Sequence, residues 1–255
     1  NKIMEAISFI LRGKTAFFKK PDVNIETYFT YNNIHKIAFL GLLGAIIGLK
    51  GYNQQEQSKK GKVNEEYPEF YKKLHKLKIS IIPQAEKGYF NKKIQTFNNS
   101  VGYATKEEGG NLIIREQWLE NSAWKIFILD DHSIDSEIFK KIKINLLNKK
   151  CEYIPYLGKN DHFAEIVLPN IVEVKKIEKI DHINSLFSLE GIEFDDDNCF
   201  DGKLPFIFKE MSPVKLNKEL NFYEYEEIAF TNLKIKQIND TNNIYKYGDL
   251  NLFFI

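Results

Sequence analysis

The 255-residue chain carries 36 Lys+Arg against 35 Asp+Glu, a formal charge of +1, with 43% hydrophobic and 14% aromatic residues. That apolar content excludes a globally disordered chain and supplies a sizeable core, in one large domain or two small ones. The balanced charge argues against a protein that coats nucleic acid non-specifically and leaves room for a local basic groove.

Residues 5–20 read as a long strand, because Ile7, Phe9 and Leu11 alternate with Ser8, Ile10 and Arg12. The strand ends in a basic-aromatic cluster, Lys14, Phe17, Phe18, Lys19 and Lys20, closed by Pro21. Such a cluster is either a solvated strand end or an RNA platform, in which aromatics stack on bases and lysines meet phosphates.

Residues 31–49, YNNIHKIAFLGLLGAIIGL, hold the densest signal. Their apolar pattern predicts a helix over 34–49, although glycine weakens an isolated helix. Ala38, Gly41, Ala45 and Gly48 recur at helical spacing and make one bare stripe. A bare stripe allows close approach to a sheet or to another chain; core packing is the commoner use of an apolar face, so the helix's own sheet is expected. The helix start offers unpaired N–H groups beside His35 and Lys36, an anion or phosphate site. The apolar run over 37–49 is too short for a bilayer, which needs about 20 residues, so no membrane contact is expected.

Residues 52–66 are polar and predict a loop. A short helix follows over 68–76, with Phe70, Tyr71 and Leu74 inward, then a strand over 78–83. Glycines at 88, 102, 109 and 110 mark 84–117 as a protruding hairpin, from which 112–118 returns. A further strand is predicted at 124–129, and Asp130, Asp131, His132 and Ser133 look like a helix start. An amphipathic helix spans 137–149, with Ile138, Ile142 and Leu146 inside. A turn at 156–160 and a strand at 163–168 complete the set.

The order strand, helix, strand, insertion, strand, helix, strand matches an α+β, ferredoxin-like (RRM-like) βαββαβ core with an inserted hairpin. Beyond residue 170 the chain is β-rich, with strands at 171–180, 204–209, 223–231 and 245–255, parted by loops at 195–202 and 239–243. The division expected is a core at 1–170, with its insertion at 84–117, and a β-rich extension at 171–255.

Chemistry-bearing motifs are sparse. Cys151 and Cys199 have no paired or metal-ligand spacing, which fits a reducing, cytoplasmic setting. No secretory signal is read at the start of the chain. Asp195, Asp196, Asp197 and Asp201 suggest calcium, but a loop starting at Asp197 would need a Glu where Phe208 stands, so 195–202 reads as a solvated loop. The five histidines show no metal spacing. No phosphate-cradling glycine loop or nucleophile elbow is present, and no cofactor is expected. General acid–base cleavage of RNA would need a base and a cation, roles open to Tyr31, His35 and Lys36.

Four segments together, LRGKTAFFKKPD, YFTYNNIHKIAFLGLLGAIIGL, LIIREQWLENSAWKIFIL and YIPYLGKNDHFAEI, resemble one family. It is the CRISPR-associated Cas-five subunit of type I Cascade, particularly its I-B branch, within the RAMP superfamily. The resemblance covers roughly the first 170 residues and is strongest over 9–49. It implies an RRM-like core with a β-hairpin thumb. It also implies a non-catalytic subunit that grips the 5′ handle of CRISPR RNA and joins the large subunit to a Cas-seven-type backbone subunit, meeting target DNA only through the complex. Carried over, Arg12, Lys14, Phe17, Phe18 and Lys19, with Tyr31, Asn33, His35 and Lys36, would contact the handle. Tyr89, Phe90, Lys92 and Lys93 would lie on the thumb, and Tyr156, Gly158, Lys159 and Asn160 would flank the groove. One branch of the family cleaves precursor RNA with Tyr, Lys and His; no motif places that triad here, and a metal-independent endoribonuclease stands as the alternative.

Overall fold

The computed structural model describes residues 3–22, 26–55, 66–98, 100, 102–103, 106–108 and 110–255, and for 196–197 the backbone alone. In chain order its first half holds β1 (Ile3–Ala16), α1 (Lys36–Ile47), α2 (Glu69–Leu74), β2 (Ile79–Pro83), β3 (Lys92–Asn98), β4 (Ile113–Leu129) and α3 (Ser136–Leu147). There follow β5 (Glu165–Lys176), β6 (Phe187–Ser188), β7 (Ile192–Cys199), β8 (Ile207–Leu216), β9 (Tyr223–Thr231), β10 (Leu233–Ile238), β11 (Ile244–Tyr247) and β12 (Leu250–Phe253). The result is a mixed, strand-rich fold of antiparallel sheets.

The largest sheet runs β12-β11-β5-β1-β4-β2, with β3 also on β4. β1 is antiparallel to both β4 and β5, and β2 is antiparallel to β4. α1 therefore links β1 to β2, and α3 links β4 to β5. Two smaller sheets, β10-β7 and β6-β9-β8, complete the molecule.

Strand periodicity divides the core. Ile7, Phe9 and Leu11 join Phe39, Leu40 and Leu43 of α1 and Trp124, Ile126 and Ile128 of β4 in one cluster. Met4, Ala6, Phe127, Leu129, Val174, Leu252 and Phe254 form a second cluster. The center of β1 is buried on both sides, Ser8 included.

α1 is capped at both ends. His35 Nδ1 accepts from the Ala38 N–H, and Gly48 takes a left-handed turn (φ 79°) that sends its N–H to Ala45 O and the Leu49 N–H to Gly44 O. The helix is apolar nearly all round. Phe39, Leu40, Leu43 and Ile46 enter the core, while Ala38, Gly41, Ala45 and Gly48 are its less covered residues. The expectation that the bare stripe seats the helix on its own sheet is thus corrected: large side chains hold the sheet, and the stripe borders a cavity. Gly44 lies off the stripe and is the true close approach, since a Cβ there would stand 2.7 Å from Phe70 Cβ.

Other expectations shift in detail. β1 stops at Ala16, four residues short of Lys20, because the Phe17 N–H leaves the sheet for Leu157 O. The strands expected at 112–118 and 124–129 are one strand, β4, whose first half pairs with β3 to form the hairpin. The polar stretch between them misleads because it stays in the sheet, Glu120 opposite Thr15 and Ser122 opposite Gly13 on β1. α3 starts at Asp135, whose carboxylate accepts from the Glu137 and Ile138 N–H groups, and not at 130–133. Phe139 joins Ile142 and Leu146 inside it. The strands expected at 163–168 and 171–180 are likewise one strand, β5. Its register slips where Leu168 turns left-handed (φ 53°) beside Pro169, a bulge with no N–H to offer the ladder. Position 170 falls inside β5. The loop expected at 195–202 is mostly strand, since β7 runs to Cys199 against β10. Most of the polar loop expected at 52–66 lies outside the described residues, as do residues 99, 101, 104, 105 and 109 of the expected hairpin. No helix among the described residues is long and apolar enough to cross a membrane.

Candidate nucleic-acid interface

β3 and β4 pair with Lys93 opposite Trp118, Gln95 opposite Glu116 and Phe97 opposite Ile114. Period-two alternation puts these six side chains on one face of the hairpin. The segment after β1 then folds over this face. Tyr28 is stitched to β4 by its own N–H to Arg115 O and by the Gln117 N–H to Tyr28 O, both 2.9 Å. The turn after α3 closes the third side, because Gly158 (φ 88°) lets the chain pass tight against Phe17. Together they enclose a cavity of about 680 Å³ lined by Lys19, Tyr28, Phe97, Trp118 and Lys159, with Gln95, Ile114, Glu116 and Asp161.

Each aromatic ring here carries a cation. Lys19 Nζ sits 3.8 Å from the Tyr28 ring centroid, Lys159 Nζ 5.0 Å from Phe97, and Lys93 Nζ 5.5 Å from Trp118. Two carboxylates organize the floor. Glu116, nearly buried, accepts from the Trp118 indole N–H (2.8 Å) and from Lys159 Nζ (3.2 Å), and Lys159 also pairs with Asp161 at 3.2 Å. Burial opposes the charge on Lys159, but its hydrogen bonds to Glu116 and Asp161 outweigh that and raise its pKa. Behind the floor, His162 is buried, its Nδ1 2.6 Å from Thr15 Oγ1 and its ring edge-on to Trp118. Burial lowers its pKa, which keeps it neutral.

The residues expected from sequence divide into three groups. Lys19 and Lys159 line this groove, and Lys93 borders it over the Trp118 ring. Tyr156 and Asn160 are exposed on the turn beside it, and Tyr89 is exposed at the start of the hairpin. Lys92 alternates to the opposite face of β3, where burial lowers its pKa and Glu210 works the other way. Arg12 and Lys14 alternate with the core residue Leu11 on β1, are exposed and do not line the groove; Arg12 Nε pairs with Glu165 at 2.6 Å.

The third group is core. Phe17 and Phe18 are buried, and Phe18 meets Trp124 and His35 edge-on, so neither ring is an open stacking surface. Asn33 spends both ends of its amide internally: Oδ1 accepts from the Trp124 indole N–H, and Nδ2 donates to Gly88 O. Phe90 packs on Trp124. Tyr31 is buried with its hydroxyl toward Tyr225, and burial pushes its pKa up strongly. Burial pulls the His35 imidazole down to about 3. Lys36 Nζ donates to Ile255 O, and burial lowers it to about 8. The phosphate site expected at the start of α1 thus has its cation already engaged.

Tyr28, Phe97, Trp118, Glu116 and Asp161 escaped sequence reasoning as site residues. The alternation Lys93, Gln95, Phe97 was a usable signal for one face of the hairpin. Tyr28 had none, because only a long-range bridge to Glu116 brings it there.

No protein-family model and no curated protein sequence matches the chain. Among solved structures it is similar to a chain of a CRISPR RNA-guided surveillance complex, at TM-score 0.48 and 10% identity over 91% of both chains. It is also similar to a CRISPR protein from Archaeoglobus fulgidus, at TM-score 0.48 and 11% identity over 98% of both chains. A chain of the type III-B Cmr-beta complex bound to cognate target RNA and AMPPnP matches at TM-score 0.45 and 9% identity, over 91% of this chain and 85% of that one.

Proposed function

We propose that this protein is a non-catalytic, RNA-binding subunit of a type I CRISPR surveillance complex. It holds the 5′ handle of CRISPR RNA and links the large subunit to a Cas-seven-type backbone subunit. The observation that carries the reading is the hairpin-face groove, whose three aromatic rings, Tyr28, Phe97 and Trp118, each lie under a lysine. Single-stranded RNA is held by that combination: cations meet phosphates, and rings take splayed bases. The strand order β5-β1-β4-β2, with one helix after β1 and one after β4, supports a ferredoxin-like, RRM-like core. The sequence resemblance over the first 170 residues points the same way.

We read the chain as non-catalytic because the expected general base is a poor one. His35 is enclosed by Phe18, Tyr31 and Tyr223, and with a pKa near 3 it has little tendency to take a proton from a 2′-OH.

The test is to tag the chain in cells carrying its own CRISPR operon, pull it down and sequence the 5′ ends of the RNA recovered. A uniform, repeat-derived 5′ end together with stoichiometric large and backbone subunits is expected. Recovery of neither RNA nor partners would refute the assignment. Metal-independent cleavage of repeat RNA by the purified chain, lost in His35→Ala, would refute its non-catalytic part.

A further inference from the structure

A second cavity, about 660 Å³, runs along α1. Its floor is the small-residue stripe Ala38, Gly41 and Ala45, and a Cβ at Gly41 would meet only Phe70, at 3.9 Å. Its walls are aromatic: Phe18, Tyr52, Phe70, Tyr153, Tyr156 and Tyr223. Lys19 and Lys50 stand in the lining, and among the described residues no carboxylate does. An apolar, ring-walled slot with two lysines in its lining complements a planar group attached to an anion.

One buried polar group serves this slot. His35, 4% exposed, lines the cavity. Its Nδ1 accepts from the Ala38 N–H, which assigns the ring proton to Nε2. Among the described residues that Nε2–H makes no hydrogen bond, and His35 lies in the cavity lining. Lys19 lines this cavity and the hairpin-face groove alike, so the two meet at one cation.

We infer that the α1 groove receives a splayed base of the same RNA strand that lies on the hairpin face. The strand crosses from one cavity to the other at Lys19. The base slides over the floor at Gly41 between tyrosine rings, and an acceptor atom on its edge takes the His35 Nε2–H. The bare stripe then has a use: larger side chains at 38, 41 or 45 would fill the space a base needs. This inference rests on the RNA-binding role proposed above.

The test uses the full chain and a random-sequence RNA pool of about ten nucleotides, a length typical of single-strand sites, containing 4-thiouridine. Ultraviolet cross-links are mapped by mass spectrometry for the unaltered protein, for Gly41→Leu and for Ala38→Leu, each checked by thermal melting. Cross-links are expected at Trp118 and at Tyr52, Tyr153 or Tyr156. Gly41→Leu should abolish the tyrosine set, keep the Trp118 adduct and weaken binding about tenfold, the loss of roughly one stacked base. If one leucine variant does not fold, the other gives the same reading. Trp118 adducts without groove adducts, or groove adducts that survive both leucines, would overturn the inference and leave the RNA-binding role standing, the groove then being open to a protein partner. Absence of binding and of cross-links on both faces would overturn that role as well.

Discussion

His35 has one ring nitrogen tied to the first turn of α1 and three aromatic rings around it. In the unfolded chain it takes a proton near pH 6.5, and in the folded chain only near 3. Below pH 6.5 the unfolded state therefore binds more protons, and stability falls as the pH falls through that window, by up to about 1.4 kcal/mol per pH unit for one group. Denaturant melts at pH 6.5, 5.5 and 4.5 should show the fall. His35→Asn keeps an N-cap acceptor and removes the titration, so its slope should be shallower; equal slopes would contradict the account. Gly158 makes a second residue-level case. A Cβ there would stand 2.0 Å from Phe17 O at a φ of 88°, so Gly158→Ala should cost about 2 kcal/mol or more and lower the melting temperature by about 4 °C or more. Gly202→Ala is the control: its φ is also left-handed (67°), and nothing lies within 4 Å. A smaller loss at 158 than at 202 would mean the turn has room to relax.

At the scale of elements, the hairpin is where sequence pattern and function meet. Lys93 pairs only loosely with Glu120, at 3.9 Å between half-exposed side chains, so its loss should leave stability alone. If it contacts a phosphate, Lys93→Ala should flatten the salt dependence of single-stranded RNA binding by about 0.7 in log–log slope. Lys19→Ala should do the same, and Lys14→Ala, outside the groove lining, should not. A change for Lys14 with none for Lys19 would move the interface away from the groove to the exposed end of β1. Helices were legible in the sequence because caps and spacing act locally: α1 ends at a glycine, and Glu69–Leu74 falls within the helix expected at 68–76. Long strands were read as two pieces where a polar stretch or a bulge interrupts the apolar pattern, as at Trp118–Trp124 and at Leu168–Pro169. Three groove lysines were legible as charges beside aromatics. The rings they cover were not, because strand register and a single bridge at Tyr28 bring them together across long separations. Of the aromatics the sequence singled out, Phe17 and Phe18 turned inward because they follow β1 into the core, whereas Tyr89 and Tyr156 are exposed.

Across the whole molecule, the last strands tie into the first sheet. Ile79 and Ile255 exchange both backbone hydrogen bonds, Lys36 Nζ reaches Ile255 O, and Leu252 and Phe254 are fully buried beside Phe127. On the other side, Glu210 of β8 accepts from the Asn32 N–H, and the Leu216 N–H donates to Tyr71 Oη, fastening the three-stranded sheet over α1 and α2. The chain should accordingly melt in one calorimetric transition; two resolved transitions would mean that residues beyond 170 fold apart from the rest. Deleting 250–255 should destabilize the whole, because Met4, Ala6, Phe127 and Val174 lose their cover. The central claim, that the hairpin-face groove holds single-stranded RNA, is tested most directly by fluorescence anisotropy of a labeled single-stranded RNA with the full chain over a range of salt. The account predicts salt-dependent binding that Trp118→Ala weakens about tenfold while Arg12→Ala leaves it unchanged. Binding unaffected by Trp118→Ala, or no binding at low salt, would contradict it.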